Sequence, residues 1–152
     1  MKSFGRVMVA AGCLAALTLA GVGALGYLGV AEDAGLTGHI LMGMAAVLGL
    51  VLAHSWILFY LLGAARVLRE AAGEAPLEPA LGAFRTRVLP PLLGVVTAAV
   101  ATFVLGIGVY AERSPVLLHG ALFWITLALQ AWAAVVEWRA LAATERAATT
   151  PG

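Results

Sequence analysis

Three histidines, His39, His54 and His119, stand in a chain of 152 residues that is 62% hydrophobic and only 11% charged. His39 is the sixth residue of one uncharged stretch, 34–65, and His119 is the sixth residue of another, 114–136. Ionisable side chains are expensive inside a membrane segment, so each is a candidate functional residue. Two imidazoles at matched depth on parallel spans form a donor set for a metal, or for the iron of a haem held between them.

The elements that must position them follow from composition. A soluble domain carries about 25% charge, whereas this chain has a mean hydropathy of +1.00 and a net charge of +1. Uncharged stretches cover 7–31, 34–65, 88–111 and 114–136, each longer than the roughly 20 residues that cross a bilayer as a helix. Strands of a membrane barrel would instead read as short alternating segments. The expected fold is an all-α integral membrane protein, a four-helix bundle running up, down, up and down. Its spans are expected near 7–30, 37–63, 88–110 and 115–138, with a loop at 66–87 and a flexible tail at 143–152.

The first span also has features of a signal peptide, since Lys2 and Arg6 precede an apolar run. That run is about 25 residues long, beyond the roughly 7 to 15 of a signal core, which favours a retained helix. Cys13 is the only cysteine, so no internal disulfide and no cysteine-based metal site is available.

Basic residues set the expected orientation. Lys2, Arg6, Arg66, Arg69, Arg85, Arg87, Arg139 and Arg146 fall on the side of the termini and middle loop, while the two short connections hold only Arg113. The positive-inside rule then places both termini and the middle loop in the cytoplasm, as for a bacterial inner-membrane protein. The middle loop opens with Arg66 to Ala72, which reads as a continuation of the second helix, and Gly73, Pro76 and Pro79 end it. Pro90 and Pro91 suit the first turn of the third span, where a missing N–H costs little. The loop carries no phosphate cradle, metal spacing or nucleophile–base pair, so it reads as a connector or a docking surface for another membrane subunit. Nothing in the chain suits nucleic acid.

Small residues at four-residue spacing line two spans: Gly12, Ala16, Ala20 and Ala24, then Ala98, Thr102 and Gly106. Such ridges let helices approach closely in lipid. On the fourth span a step of 100° per residue puts Thr126, Gln130 and Glu137 within about 20° of His119, so the stripe should face the bundle interior. Gln130 is expected to pair with Thr97 or Thr102 of the third span, and Glu137 to reach the headgroups or Arg139. On the second span His39 shares its direction with Gly43, Ala46, Leu50, Ala53 and Ile57, which leaves small residues just below it.

Spans 2 and 4 run the same way and are diagonal in a cyclic bundle. Adjacent helices at 8 to 10 Å are too close to hold a haem between two imidazoles, while the diagonal is about 1.4 times longer. His39 and His119 are therefore the expected axial ligands of one haem b near the outer face. His54 lies about 22 Å deeper than His39, with no second histidine at its level. Together with Gln130, Thr126 and Glu137 it is a candidate polar or quinone site, with Ser55, Trp56, Tyr60, Cys13 and Thr97 as possible neighbours.

Blander readings stand beside these. A histidine near an interface is often only an interfacial polar residue, and a helix–helix hydrogen bond suits His54 better than catalysis. Met42 and Met44 would have to join His39 to recruit copper, whereas methionine in an apolar helix mostly packs. Trp56, Trp124, Trp132 and Trp138 suit lipid contact or an aromatic belt. The layout is similar to small four-helix membrane cytochrome b subunits, a likeness of architecture that transfers neither residues nor activity. Three functions follow as expectations: a haem b subunit exchanging electrons with quinone, a cofactor-free accessory or assembly subunit, and a metal or small-solute transporter. No hydrolytic constellation is present.

Overall fold

The computed structural model describes residues 2–27, 33–72 and 84–147. Four long helices account for nearly all of them: α1 (Lys2–Tyr27), α2 (Asp33–Ala72), α3 (Leu89–Tyr110) and α4 (Val116–Ala147), with a π-helical turn at Phe84–Val88 leading into α3. Each contains a segment long and apolar enough to cross a membrane: Gly5–Gly26, Leu36–Val67, Thr86–Tyr110 and Val116–Arg146. The protein is an integral membrane protein with the expected four-helix architecture.

Packing inverts the pattern of a soluble bundle. Large apolar side chains point outward, among them Leu17, Phe59 and Leu117 and all four tryptophans, because the surrounding lipid is as apolar as they are. The interior holds smaller residues and the buried polar groups. Each helix has two principal neighbours, giving the cyclic order α1, α2, α3, α4 with α2 and α4 also touching across the diagonal. On α1 the four-residue stripe drifts off the packing face: Gly12 is buried but Ala24 is exposed. Four residues are 400° of helix, so each step adds about 40°. The buried line is instead Val9, Gly12, Ala15, Leu19 and Val22.

Helix ends follow local chemistry. Pro90 and Pro91 occupy the first turn of α3, as expected. At its other end Glu112 N–H reaches Val109 O at 3.0 Å and Arg113 N–H reaches Gly108 O at 2.7 Å. This is a Schellman closure, in which Glu112 takes the left-handed position at φ 56°. Ser114 folds back over Gly108, where a Cβ would collide with its hydroxyl. The turn is tight, so α3 and α4 pack as an antiparallel hairpin. At 40 residues, α2 is about 60 Å long, twice the hydrocarbon thickness. Its last turns therefore project beyond the apolar region, with Arg66 paired to Glu70 at 2.9 Å. Gly73, Pro76 and Pro79 lie outside the described residues.

The final helix also outruns expectation. It continues to Ala147, so the beginning of the segment expected to be a flexible tail is helical. Leu141 is buried there, Thr144 donates to Ala140 O at 2.9 Å, and Glu145 meets Arg6 of α1 at 3.0 Å. Alanine, glutamate and arginine are good helix formers, and these contacts anchor the extra turns.

Candidate functional site

Two polar layers occupy the bundle, one near the end that carries the short connections (the turn end) and one nearer the end that carries the termini. The first surrounds a chamber of about 560 Å³ lined almost wholly by apolar side chains, with His39 and His119 both in its wall. That volume is in the range of small-molecule and cofactor sites. Because α2 and α4 are the diagonal pair, the two histidines approach the chamber from opposite helices. The α3–α4 rim, including Tyr110, Leu117 and Trp124, is exposed on the lipid-facing surface.

Each histidine lies on a glycine of the helix that precedes it. A Cβ at Gly26 of α1 would sit 2.9 Å from His39 Cε1, and one at Gly106 of α3 would sit 2.9 Å from His119 Cε1. The absence of both side chains lets each ring approach a helix backbone closely with its Cε1 edge. For His119 the approach has a chemical result: its Nδ1–H donates to the Thr102 carbonyl at 2.9 Å. A carbonyl oxygen has two lone pairs, so Thr102 can accept this bond besides the helical one from Gly106. The tautomer is thereby fixed with the lone pair on Nε2, as in metal-ligating histidines that donate their other nitrogen to a backbone carbonyl. His39 Nδ1 is buried and has no partner among the described residues.

The two halves share one register. Gly26 precedes His39 by the same thirteen residues that separate Gly106 from His119, an interval of 80 between the halves. At that interval buried positions coincide: Ala15 with Val95, Leu19 with Ala99, Val22 with Thr102, Ala46 with Thr126, Leu50 with Gln130, Ile57 with Glu137, and Leu61 with Leu141. Helices α1 and α3 run in parallel, as do α2 and α4. The hairpins are thus related by a pseudo-two-fold axis along the bundle, of the parallel-repeat kind. Sequence reasoning noticed the matched depth of the histidines but missed the glycines beneath them. The signal was present in Leu25-Gly26, Ala31-Glu32 and His39, repeated as Leu105-Gly106, Ala111-Glu112 and His119.

Below the chamber, the stripe on α4 faces inward. Thr126 meets Thr102 hydroxyl to hydroxyl at 2.8 Å, and each hydroxyl also lies within bonding distance of a carbonyl one turn back on its own helix. Gln130 does not pair with Thr97 or Thr102: its Oε1 lies 2.8 Å from His54 Nε2, and Thr97 is exposed. Glu137 does not reach the headgroups or Arg139. It is 1% exposed, with Oε1 2.5 Å from His54 Nδ1. Eighteen residues of helix separate Glu137 from His119, about 27 Å, which brings it level with His54 from the opposite helix. Both ring nitrogens of His54 are taken by Glu137 and Gln130, and Cys13 and Thr97 are exposed.

The lower layer joins both nitrogens of one ring to polar side chains and is apolar above and below. It separates a cluster containing Leu19, Leu50, Ala99 and Phe123 from one containing Val9, Ile57, Leu61, Leu92 and Leu141. The symmetry of the upper layer is broken here, because the positions matching His54, Gln130 and Glu137 are Ala134, Leu50 and Ile57.

Among the described residues no group of three or more His, Cys, Asp and Glu side chains converges on a common point. Met42 and Met44 are exposed on the outer surface of α2 and do not line the chamber beside His39. No protein family, curated protein or solved structure matches this chain.

Proposed function

We propose that the protein is a membrane electron-transfer subunit that binds one haem b in the chamber, with His39 and His119 as axial ligands. The observation that carries this reading is the paired arrangement: two hairpins of one register each present a histidine on a glycine, and both rings line the same apolar chamber. A pseudo-two-fold site suits a flat ligand that needs one donor on each face.

A haem bound there supplies one-electron chemistry. The chain's own residues bind and orient it. His119, fixed by the Thr102 carbonyl, offers Nε2. Gly26 and Gly106 give both rings room, and Leu19, Val22 and Phe123 exclude water. The rim formed by Tyr110, Leu117 and Trp124 faces lipid, which favours a lipid-soluble quinone as the electron partner over a water-soluble protein. The distribution of basic residues supports a chamber towards the outer face of a bacterial inner membrane, with both termini cytoplasmic.

The test is the visible spectrum of protein purified from haem-replete membranes. Sharp low-spin bands are expected. His39→Ala and His119→Ala should each abolish or convert them, while His54→Ala should preserve them. A colourless wild-type protein would overturn the reading and favour a cofactor-free accessory subunit.

A further inference from the structure

The lower layer is an unusual use of space. Three polar side chains meet at a level where the other half of the molecule places Ala134, Leu50 and Ile57 at the matching positions. The fold therefore accepts apolar residues at this register, and the polar set is not required to close the bundle. Ionisable groups buried in a membrane bundle mark sites of chemistry or transport by default.

Its hydrogen bonding is adapted to a change of protonation. As drawn, His54 Nε2–H donates to Gln130 Oε1, while one proton is shared between His54 Nδ1 and Glu137 Oε1. If the Nε2 proton leaves, the other proton stays between Nδ1 and the Glu137 carboxylate, and Nε2 is left with a lone pair. A glutamine amide has both an acceptor and two donors. Rotation of Gln130 about its last torsion then offers N–H to Nε2, so that nitrogen has a partner in either state. Among the described residues no other ionisable side chain is buried. Helix α1 contributes Gly12 beside Gln130, and α3 contributes Val95, Ala98 and Ala99 to the interior.

We propose that His54, Gln130 and Glu137 form a proton-exchange site whose occupancy is coupled to the charge of the redox group in the chamber. This rests on the haem reading above. When a quinol passes one of its two electrons to the redox group in the chamber and releases its own proton to water, the chamber gains one negative charge. The pair then takes one proton from the aqueous phase at the end of the bundle carrying the termini, and Gln130 turns from donor to acceptor. Oxidation by a quinone, which accepts that electron, returns the bound proton to water. Along α4 the site lies one turn below Thr126, which meets Thr102, whose carbonyl holds His119.

The coupling is electrostatic and modest. A unit charge about 16 to 22 Å away at an effective dielectric of about 20 changes a proton affinity roughly four- to six-fold. By reciprocity the proton changes the reduction equilibrium by the same factor. Added negative charge favours the bound proton, so the midpoint should fall as pH rises.

The experiment is a potentiometric titration of the purified holoprotein across pH, with infrared difference spectra on reduction by dithionite. Wild type should show a four- to six-fold component in the reduction equilibrium and a Glu137 carboxyl band. Both should vanish in Glu137→Gln and in the triple variant His54→Leu/Gln130→Leu/Glu137→Ile, which borrows the apolar character of the other half and guards against a merely misfolded single variant. A haem-loaded wild type with the same pH dependence as the triple variant and no carboxyl band overturns the coupling alone. A colourless protein overturns the haem reading, and this proposal with it.

Discussion

Replacing His54 by leucine should be among the most damaging single changes in the bundle. It strands two partners: the Glu137 carboxyl and the Gln130 amide oxygen, both buried. An unsatisfied buried polar group costs about 1–3 kcal/mol, so two give roughly 2–6 kcal/mol. In a bilayer the lower part of that range is expected, because the separated helices also find partners and cross-helix hydrogen bonds average about 0.6 kcal/mol. Glu137→Ile strands only His54 Nδ1 and should cost about 1–3 kcal/mol. Adding Gln130→Leu and Glu137→Ile to His54→Leu removes every orphan at once. Replacing a buried charged set with apolar residues of similar volume is often neutral or stabilising, so the triple variant should return to within about 1 kcal/mol of wild type. Reversible unfolding in mixed micelles, followed by tryptophan fluorescence, measures all four proteins. A triple variant no more stable than His54→Leu would refute the argument, because packing at this level, and not polar satisfaction, would then set the cost.

Four shorter predictions follow. Gly106→Ala, whose Cβ would sit 2.9 Å from His119 Cε1, should displace that ring and weaken the proposed haem bands, while Gly21→Ala, which meets nothing within 4 Å, should leave them unchanged; equal spectra from both would dissociate the glycines from the site. Glu112→Gly should raise stability by about 1 kcal/mol by relieving the left-handed residue that closes α3, a gain that thermal unfolding would detect. Arg6→Ala should change stability by less than about 1 kcal/mol despite its contacts with Glu145 and Trp138, because the guanidinium is solvent-exposed and such pairs are weak; a larger loss in the same unfolding assay would contradict that. Reporter fusions in 66–87 should be cytoplasmic and those at 111–114 external, and the opposite labelling would invert the depth assignments.

Four spans, their approximate limits and the inward direction of the α4 stripe were legible in the chain itself. Composition in a bilayer leaves helices as the way to satisfy the backbone along such apolar runs, and the angle between residues on one helix is fixed by its geometry. The alignment of His39, Ala46, Leu50, Ala53 and Ile57 along one side of α2 follows from the same rule. Partners across helices were not legible. Gln130 was matched to the threonines of α3 because adjacent helices are the simplest neighbours, yet α2 and α4 touch across the diagonal and give it His54. Glu137 was sent to the headgroups because an isolated carboxylate is costly in hydrocarbon. The tertiary structure removes that premise by bringing an imidazole to its level from a helix 83 residues away in sequence. Gly26 and Gly106 are legible only as members of a repeat at an interval of 80 residues, since a missing Cβ acquires its meaning when another helix brings a ring against it. Periodicity along one helix belongs to the sequence; depth and rotation between helices are decided by packing, and the polar layers exist only there.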